Sequence, residues 1–482
     1  MFIGVAVIAA VGMLISVKDT YLKLLNTVAL VCITLSGGWT IRQTLLHGSY
    51  ESGMLYWDAL SALLLSVIIM IAVYVILFSL GYMEREVEEK KFPRIRLKWY
   101  YFWIWIFIAT MMLVISTPNL GIIWVGIEGT TLATTLLVGF YRNKKAVEAA
   151  WKYVILCTVG ISFALLGTML LFAAAAPHLG QSLTALDWRM LPKVAHQLDS
   201  SLVRLGVLFT VVGYGAKVGF VPMHAWLPDA HSQAPSPVSA LLSAVLLNCA
   251  LYAILRWYTL SRLTTLGPNF MGNILMGFGF LSLALMVGFI LLQKDIKRLL
   301  AYSSVEHMGI LALGFGLGTQ AAVWGASLHL LLHALTKANL FVIIGNLVQK
   351  TGTRQIARMR GIFNVWPFTG LIMILGLLGI TGTPPFGTFR SELNILSGLY
   401  KTGHPLLGFA TILFLTVIFA GFLYHFLQML FGKARGRYQG GESISTLALA
   451  VPLLVVLFLG LFIPHGLNQA LNQVVKVILG GV

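Results

Sequence analysis

Residues 214–242 read YGAKVGFVPMHAWLPDAHSQAPSPVSALL. One lysine, two histidines, an aspartate and four prolines lie between two apolar runs, each long enough to cross a bilayer. Proline removes a backbone donor and glycine loosens a helix, so the stretch predicts a helix broken inside the membrane. Unwound backbone survives at that depth only where protein or a water-filled cavity satisfies it. The break therefore predicts a polar interior that lets water reach Lys217, with His224 and His231 giving a proton an onward or outward route. Asp229 reads as a cap for the following turn, since DAHSQAPSP is rich in turn formers.

The composition agrees with a membrane setting. Of 482 residues, 58% are hydrophobic and only 10% charged, against about a quarter charged in a soluble domain. Apolar runs recur from end to end and predict about fourteen spans. They fall near 3–17, 24–45, 55–80, 100–116, 119–140, 147–175, 203–223, 236–258, 270–292, 295–316, 322–349, 365–398, 406–431 and 444–464. The expected fold class is an all-α polytopic membrane protein, one embedded unit over residues 1–482. The longest polar interruption, EREVEEKKFPRIRLK at 84–98, is too short for a domain and reads as a solvated loop. A second break, GITGTPPFGTFRSEL at 379–393, interrupts the twelfth span. Two Gly/Pro-interrupted helices at matching places point to an inverted repeat. Helices 1–3 would occupy 1–98, a first five-helix repeat (helices 4–8) 99–262, a second (helices 9–13) 268–432, and helix 14 residues 444–464.

The net charge of +17 would suit nucleic acid, but its distribution argues against that partner. Basic residues gather in short loops: Lys18 and Lys23; residues 85–98; Arg142, Lys144 and Lys145; Lys294, Lys297 and Arg298; residues 350–360; Lys433, Arg435 and Arg437. Each of these loops follows an odd-numbered span. The positive-inside rule then puts them in the cytoplasm of a prokaryotic inner membrane, with both termini on the periplasmic side. The first run, FIGVAVIAAVGMLISV, has no basic residue ahead of it and no small-residue cleavage site, so it reads as a retained span. Cys32, Cys157 and Cys249 lie far apart in apolar runs and read as packing residues, not as an iron–sulfur, zinc or disulfide framework. No dinucleotide- or phosphate-binding glycine motif is present. No cofactor or metal is expected on this chain, so any redox chemistry belongs to partner polypeptides.

A charged side chain near the centre of a spanning helix costs about 2.5–3.5 kcal/mol, so each one needs a reason. Glu128 lies mid-span in LGIIWVGIEGTTLATTLLVGF, and Lys217 lies beside the first break. A static pair gluing two helices is one reading, but it leaves the rest of the polar series without a purpose. In SLHLLLHALTKANLF, His329, His333 and Lys337 fall at i, i+4 and i+8 and share one helix face. Histidine suits proton relay because its unperturbed pKa is about 6.5. Glu392 sits just past the second break, with Arg390 two residues away. A carboxylate near a buried lysine favours the ammonium, so moving or protonating Glu128 would switch Lys217 between holding and releasing a proton. Lys152 has two readings, a snorkelling surface residue or a proton feeder. Arg256 and residues 294–298 sit at span ends and read as orientation anchors.

FVPMHAWLPDAHSQAPSPVSALLSAVLLNCALYAILR, together with WVGIEGTTLATTLLVGFY, KDIKRLLAYSSVEHMG, HALTKANLF and GTPPFGTFRSE, resembles the antiporter-like subunits of respiratory complex I. The same superfamily includes Mrp-type Na+/H+ antiporters and membrane-bound [NiFe] hydrogenases. The Glu306–His307 pair and the length look most like the hydrogenase-4 component F group. The resemblance implies fourteen core helices with two inverted five-helix repeats. It implies Glu128 as the fifth-helix carboxylate, Lys217 as the seventh-helix lysine, His329, His333 and Lys337 as the central relay, and Glu392 as the exit-side residue. Partners implied are other antiporter-like membrane subunits and a peripheral hydrogenase-like arm carrying [NiFe] and iron–sulfur clusters, often coupled to formate oxidation. One departure matters. Many relatives carry a lysine in the eighth helix where this chain has Asn248, which holds no proton and only orients water or donates a hydrogen bond. The chain also lacks a long lateral helix after the fourteenth span, which suggests an internal or lone antiporter-like subunit.

The expected function is proton translocation within a multisubunit membrane oxidoreductase of hydrogenase-4 or formate hydrogenlyase type. An Mrp-type Na+/H+ antiporter subunit, or a subunit of an NADH–quinone oxidoreductase, would use the same relay. Whether Na+ accompanies H+ stays open. A scaffold with lost conduction is the remaining alternative, and Asn248 is the residue that keeps it in play.

Overall fold

The computed structural model describes residues 1–15, 19–434, 441–442 and 444–480; Lys18, Arg435 and Arg437 lie outside them. The chain is almost wholly helical. Helices α1 (Phe2–Ile15) and α2 (Asp19–His47) lead into a hairpin of β1 (Ser49–Ser52) and β2 (Leu55–Asp58), then α3 (Ala59–Glu88), α4 (Arg96–Ser116), α5 (Leu120–Val138) and α6 (Lys144–Leu179). Next come α7 (Ser200–Val218), α8 (Trp226–Gln233), α9 (Ser236–Leu241), α10 (Leu247–Leu263), α11 (Pro268–Leu291), α12 (Ile296–Leu317) and α13 (Gln320–Thr351). The chain continues through α14 (Ile362–Val365), α15 (Pro367–Ile380), α16 (Gly387–Lys401), α17 (Pro405–Leu430), α18 (Val451–Leu461) and α19 (His465–Leu479). Ten helical stretches among the described residues are long and apolar enough to cross a membrane, and α18 with α19, bent by 82°, would add one.

Both predicted breaks are present. Helix α7 starts on the Asp199 side chain, which accepts from the Ser201 and Leu202 amides, and stops at Gly219 in the left-handed region at φ +88°. The chain then turns through Pro222 into the short α8, passes extended Ala234, and resumes in α9. A five-residue π turn over Leu242–Leu246 separates α9 from α10, the kind of bulge that recurs at functional sites. The second break parts α15 from α16 around Gly382, at φ +59°.

Helices α10 and α13 are buried on every side and form the centre of the bundle. Small residues bring their neighbours close. An added Cβ at Gly279 of α11 would come 2.6 Å from the Gly309 carbonyl of α12, and one at Gly213 of α7 would come 2.4 Å from the Ala164 amide of α6. Close backbone approach of this kind is the usual means of helix association in membranes.

Two elements lie outside the sequence reading. The β1–β2 hairpin pairs Ser49 with Asp58 and Tyr50 with Trp57 just before α3, where the third span was expected to begin at residue 55. Helix α19 follows the expected last span and buries Leu471, Val474, Val475 and Ile478 on one face.

Candidate functional site

Polar side chains form two clusters inside the bundle. In the first, Lys217 is fully buried on the last turn of α7. Its ammonium donates to the Tyr153 hydroxyl at 2.5 Å and to Thr131 Oγ1 at 2.9 Å. Thr134 gives its own proton to the Thr130 carbonyl at 2.6 Å, so Tyr153 donates to Thr134, also at 2.6 Å. Lys217 therefore enters a hydroxyl chain that leads into α5. Glu128, partly buried on α5, accepts from Thr158 at 3.1 Å. Among the described residues no ion pair joins Glu128 to Lys217; they are electrostatic neighbours, with the Cys157 thiol close to both. Cys157 thus packs against the site, whereas Cys249 is buried in α10 and Cys32 is exposed.

The second cluster is larger. Lys337 of α13 donates to the Leu300 carbonyl at 2.8 Å and to Ser303 Oγ at 2.7 Å, both on α12. One turn along α12, Glu306 is buried beside Ser303 and within the field of Lys337. The next residue, His307, reaches His329 of α13, Nδ1 to Nε2 at 3.0 Å. His329 Nδ1 lies 2.8 Å from Ser391 Oγ on α16, and Ser391 donates to the Thr388 carbonyl at 2.7 Å. His333 lies against both imidazoles, its ring centroid 5.1 Å from that of His307 and 6.5 Å from that of His329. Neither His333 nitrogen has a hydrogen-bond partner among the described residues. Glu392, packed beneath the Gly382 turn, completes the group.

Between the clusters, Asn248 donates to the Ala244 carbonyl in the π turn at 2.8 Å, and its carbonyl oxygen is buried without a hydrogen-bond partner among the described residues. Ser243 in the π turn meets Ser304 of α12 at 2.7 Å, and Ser304 bonds the same Leu300 carbonyl that accepts from Lys337. His231 is buried and stacked on Phe341 at 4.9 Å, with Lys297 and Lys337 as its charged neighbours.

Other candidates lie elsewhere. His224 is partly exposed and touches Phe289, Tyr302 and the backbone at Pro222, not the polar clusters. Lys152 lies at the surface, paired with Glu148 at 2.6 Å and Asp229 at 3.2 Å. Asp229 is not a turn cap. Its two oxygens hold Lys152 of α6 and Arg298 of α12, the latter at 2.6 Å, beside a polar cavity of about 370 Å3. Two supposed anchors are also buried. Arg256 makes a bidentate pair with Asp58 at 2.6 and 2.7 Å, and Lys297 donates to the Ala234 carbonyl at 2.7 Å. Burial of a guanidinium demands such a partner, and one 198 positions away in sequence leaves no local signal. His307, His329 and Glu392 are the group among the described residues that could hold a metal ion, with ligand atoms within 4.8 Å of one another. The two imidazoles already use their facing nitrogens on each other.

The family model for the transmembrane region of NADH:quinone oxidoreductases and Mrp antiporters matches residues 117–419, which contain both clusters. The chain belongs to that family. A second model, the N-terminus of complex I chain 5, matches residues 52–93. The chain is similar to a hydrogenase-4 component F homologue of Methylacidiphilum infernorum, 39% identical over 394 residues that cover 80% of this chain and 81% of that protein. It is 33% identical to NADH-quinone oxidoreductase subunit N of Desulforudis audaxviator over 298 residues, 61% of this chain and 57% of that one. Its fold resembles a chain of the archaeal membrane-bound sulfane sulfur reductase, with a TM-score of 0.88 at 23% identity, covering 100% of this chain and 97% of that one. This family member is an integral membrane protein of the antiporter-like type.

Proposed function

We propose that this subunit moves protons through the membrane arm of a multisubunit redox complex of hydrogenase-4 or formate hydrogenlyase type. The observation that carries the reading is the buried series of titratable and hydroxyl groups from Lys337 to Ser391, hydrogen-bonded at both ends with a 3.9 Å step from Glu306 to His307, at the centre of an apolar bundle. Static glue would need one or two pairs; six titratable or hydroxyl side chains from three helices, Lys337, Ser303, Glu306, His307, His329 and Ser391, suit transfer instead. The similarity to the hydrogenase-4 component F homologue supports the redox type. Protons would enter near the Asp229 cavity or along Glu128 and Lys217, and leave by Glu392. Asn248 Oδ1 and the His333 nitrogens are where ordered water would bridge, since a buried polar atom left unpaired costs about 1–3 kcal/mol.

On this reading the short or polar helices α1, α12, α15 with α16, and α18 make up the crossings to fourteen, and α4 to α10 and α11 to α17 are the inverted repeats. The basic loops face the cytoplasm. Partner subunits, including other antiporter-like chains, supply the [NiFe] and iron–sulfur centres, and this chain holds none.

Reconstituted complexes test the reading. Lys217→Ala and Glu128→Ala are expected to abolish proton uptake into proteoliposomes while leaving assembly intact; normal uptake in both removes the proposal. Nickel and iron in the purified complex favour the hydrogenase type, and their absence favours a Na+/H+ exchanger of Mrp type.

A further inference from the structure

The sequence sets His329, His333 and Lys337 in file on one helix, but the hydrogen bonds do not follow that file. Between His333 and His329 there is ring contact and no nitrogen-to-nitrogen bond. The hydrogen bonds cross instead to α12 at both ends, through Ser303 to Lys337 and through His307 to His329.

The donors and acceptors give this detour a direction. Ser391 spends its one proton on the Thr388 carbonyl, so it must accept from His329 Nδ1–H. In a neutral ring that leaves His329 Nε2 as an acceptor, and His307 Nδ1–H is its donor. The lone pair of neutral His307 is then on Nε2, which faces Glu306 Oε2 at 3.9 Å, with the Ile380 carbonyl also beside the ring. The imidazole pair thus takes up a proton at one end only, and a carboxylate stands at that end. On its other side Glu306 has Ser303 as a neighbour, and the Ser303 oxygen accepts from Lys337. Glu306 is 3% exposed, and His307 is the one basic side chain within 4 Å of it among the described residues. A carboxylate buried this way serves better as a proton carrier than as a fixed charge.

We propose that Glu306 is an obligatory proton carrier, so that the path from Lys337 to Glu392 leaves α13 and runs through Ser303, Glu306 and His307 of α12. The proposal rests on the proton-translocation reading. In the first step the Lys337 ammonium gives one proton to Ser303 Oγ as the Ser303 hydroxyl proton moves to Glu306. The products are a neutral amine and a neutral acid. Glu306 then protonates His307 Nε2, His307 Nδ1–H passes to His329 Nε2, and His329 Nδ1–H passes to Ser391, which releases its own proton toward Glu392. A Glu392 oxygen lies within 4.8 Å of a nitrogen on each ring. One proton moves and no other reactant is consumed; both rings must then turn back before the next.

The test uses the intact complex in proteoliposomes, with Lys217→Ala and His329→Ala as reference variants. Glu306→Gln keeps the shape and cannot carry a proton, so pumping should fall about 100-fold with redox turnover retained. Glu306→Asp should recover part of it. Infrared difference spectra should show a protonated carboxyl band that Glu306→Gln removes and Glu306→Asp shifts, which a purely structural role would not produce. Normal pumping in Glu306→Gln, while both reference variants are dead, overturns the detour. Normal pumping in all three variants sinks the translocation reading itself. If Glu306→Gln does not assemble, Glu306→Asp decides: slowed pumping with a shifted band supports the carrier, and unaltered pumping with no band overturns it.

Discussion

Tyr153 shows how much can depend on one hydroxyl. It accepts from the Lys217 ammonium and passes its own proton to Thr134, so it both stabilises the charge and extends the chain. Tyr153→Phe keeps the ring beneath the ammonium, 4.6 Å from its centroid, and removes the hydroxyl, both as acceptor from Lys217 and as donor to Thr134. Losing the acceptor should cost about 1–3 kcal/mol, and the change should slow proton uptake more than it lowers the melting temperature. Both are measurable on the same purified complex. Asp58 is the opposite case, a residue of architecture. It caps α3 through the Ser61 amide and neutralises buried Arg256. Asp58→Ala leaves that guanidinium uncompensated, and a thermal melt in detergent should register a loss of about 3–5 kcal/mol.

At the level of elements, the site depends on how closely α11 presses against α12, since α12 carries Ser303, Glu306 and His307. A methyl group at Gly279 would meet the Gly309 carbonyl at 2.6 Å and the Leu313 amide at 2.9 Å. Gly279→Ala should therefore push the helices apart, at about 1–3 kcal/mol, and reduce transport with it. Gly288→Ala, on the same helix with nothing within 4 Å, should do neither; a matched pair of melts and uptake assays separates the two. The breaks were legible in the sequence because proline and glycine act locally, and Gly219 and Gly382 stand where the helices stop. The detour through α12 was not. His307 and His329 are 22 positions apart and on different helices, and no periodicity on either one reports that their nitrogens meet. Glu306 was legible as half of the Glu306–His307 pair that carries the family resemblance, but not as a neighbour of Lys337.

For the whole molecule, hydropathy was enough to foresee a polytopic helical bundle, and ten helical stretches among the described residues are long and apolar enough to cross a membrane. What it could not supply was the closing piece. Helix α19 is amphipathic and too short to span, so it carries no apolar run, yet its aliphatic face packs on α3, α10 and α13, and Asn468 accepts from the Trp324 indole at 3.1 Å. Ending the chain at Pro464 would strip four buried aliphatic side chains, each contributing about 1.5–3 kcal/mol. The truncated protein should melt well below the full chain in detergent, and an unchanged melt would show that α19 is dispensable. Asp229 has a consequence on the same scale. One carboxylate divides its oxygens between Lys152 of α6 and Arg298 of α12, so the short helix that bears it works as a yoke between distant parts of the bundle. Any tilt of that yoke that tightens one grip must slacken the other, and salt, by loosening both, uncouples the two sides.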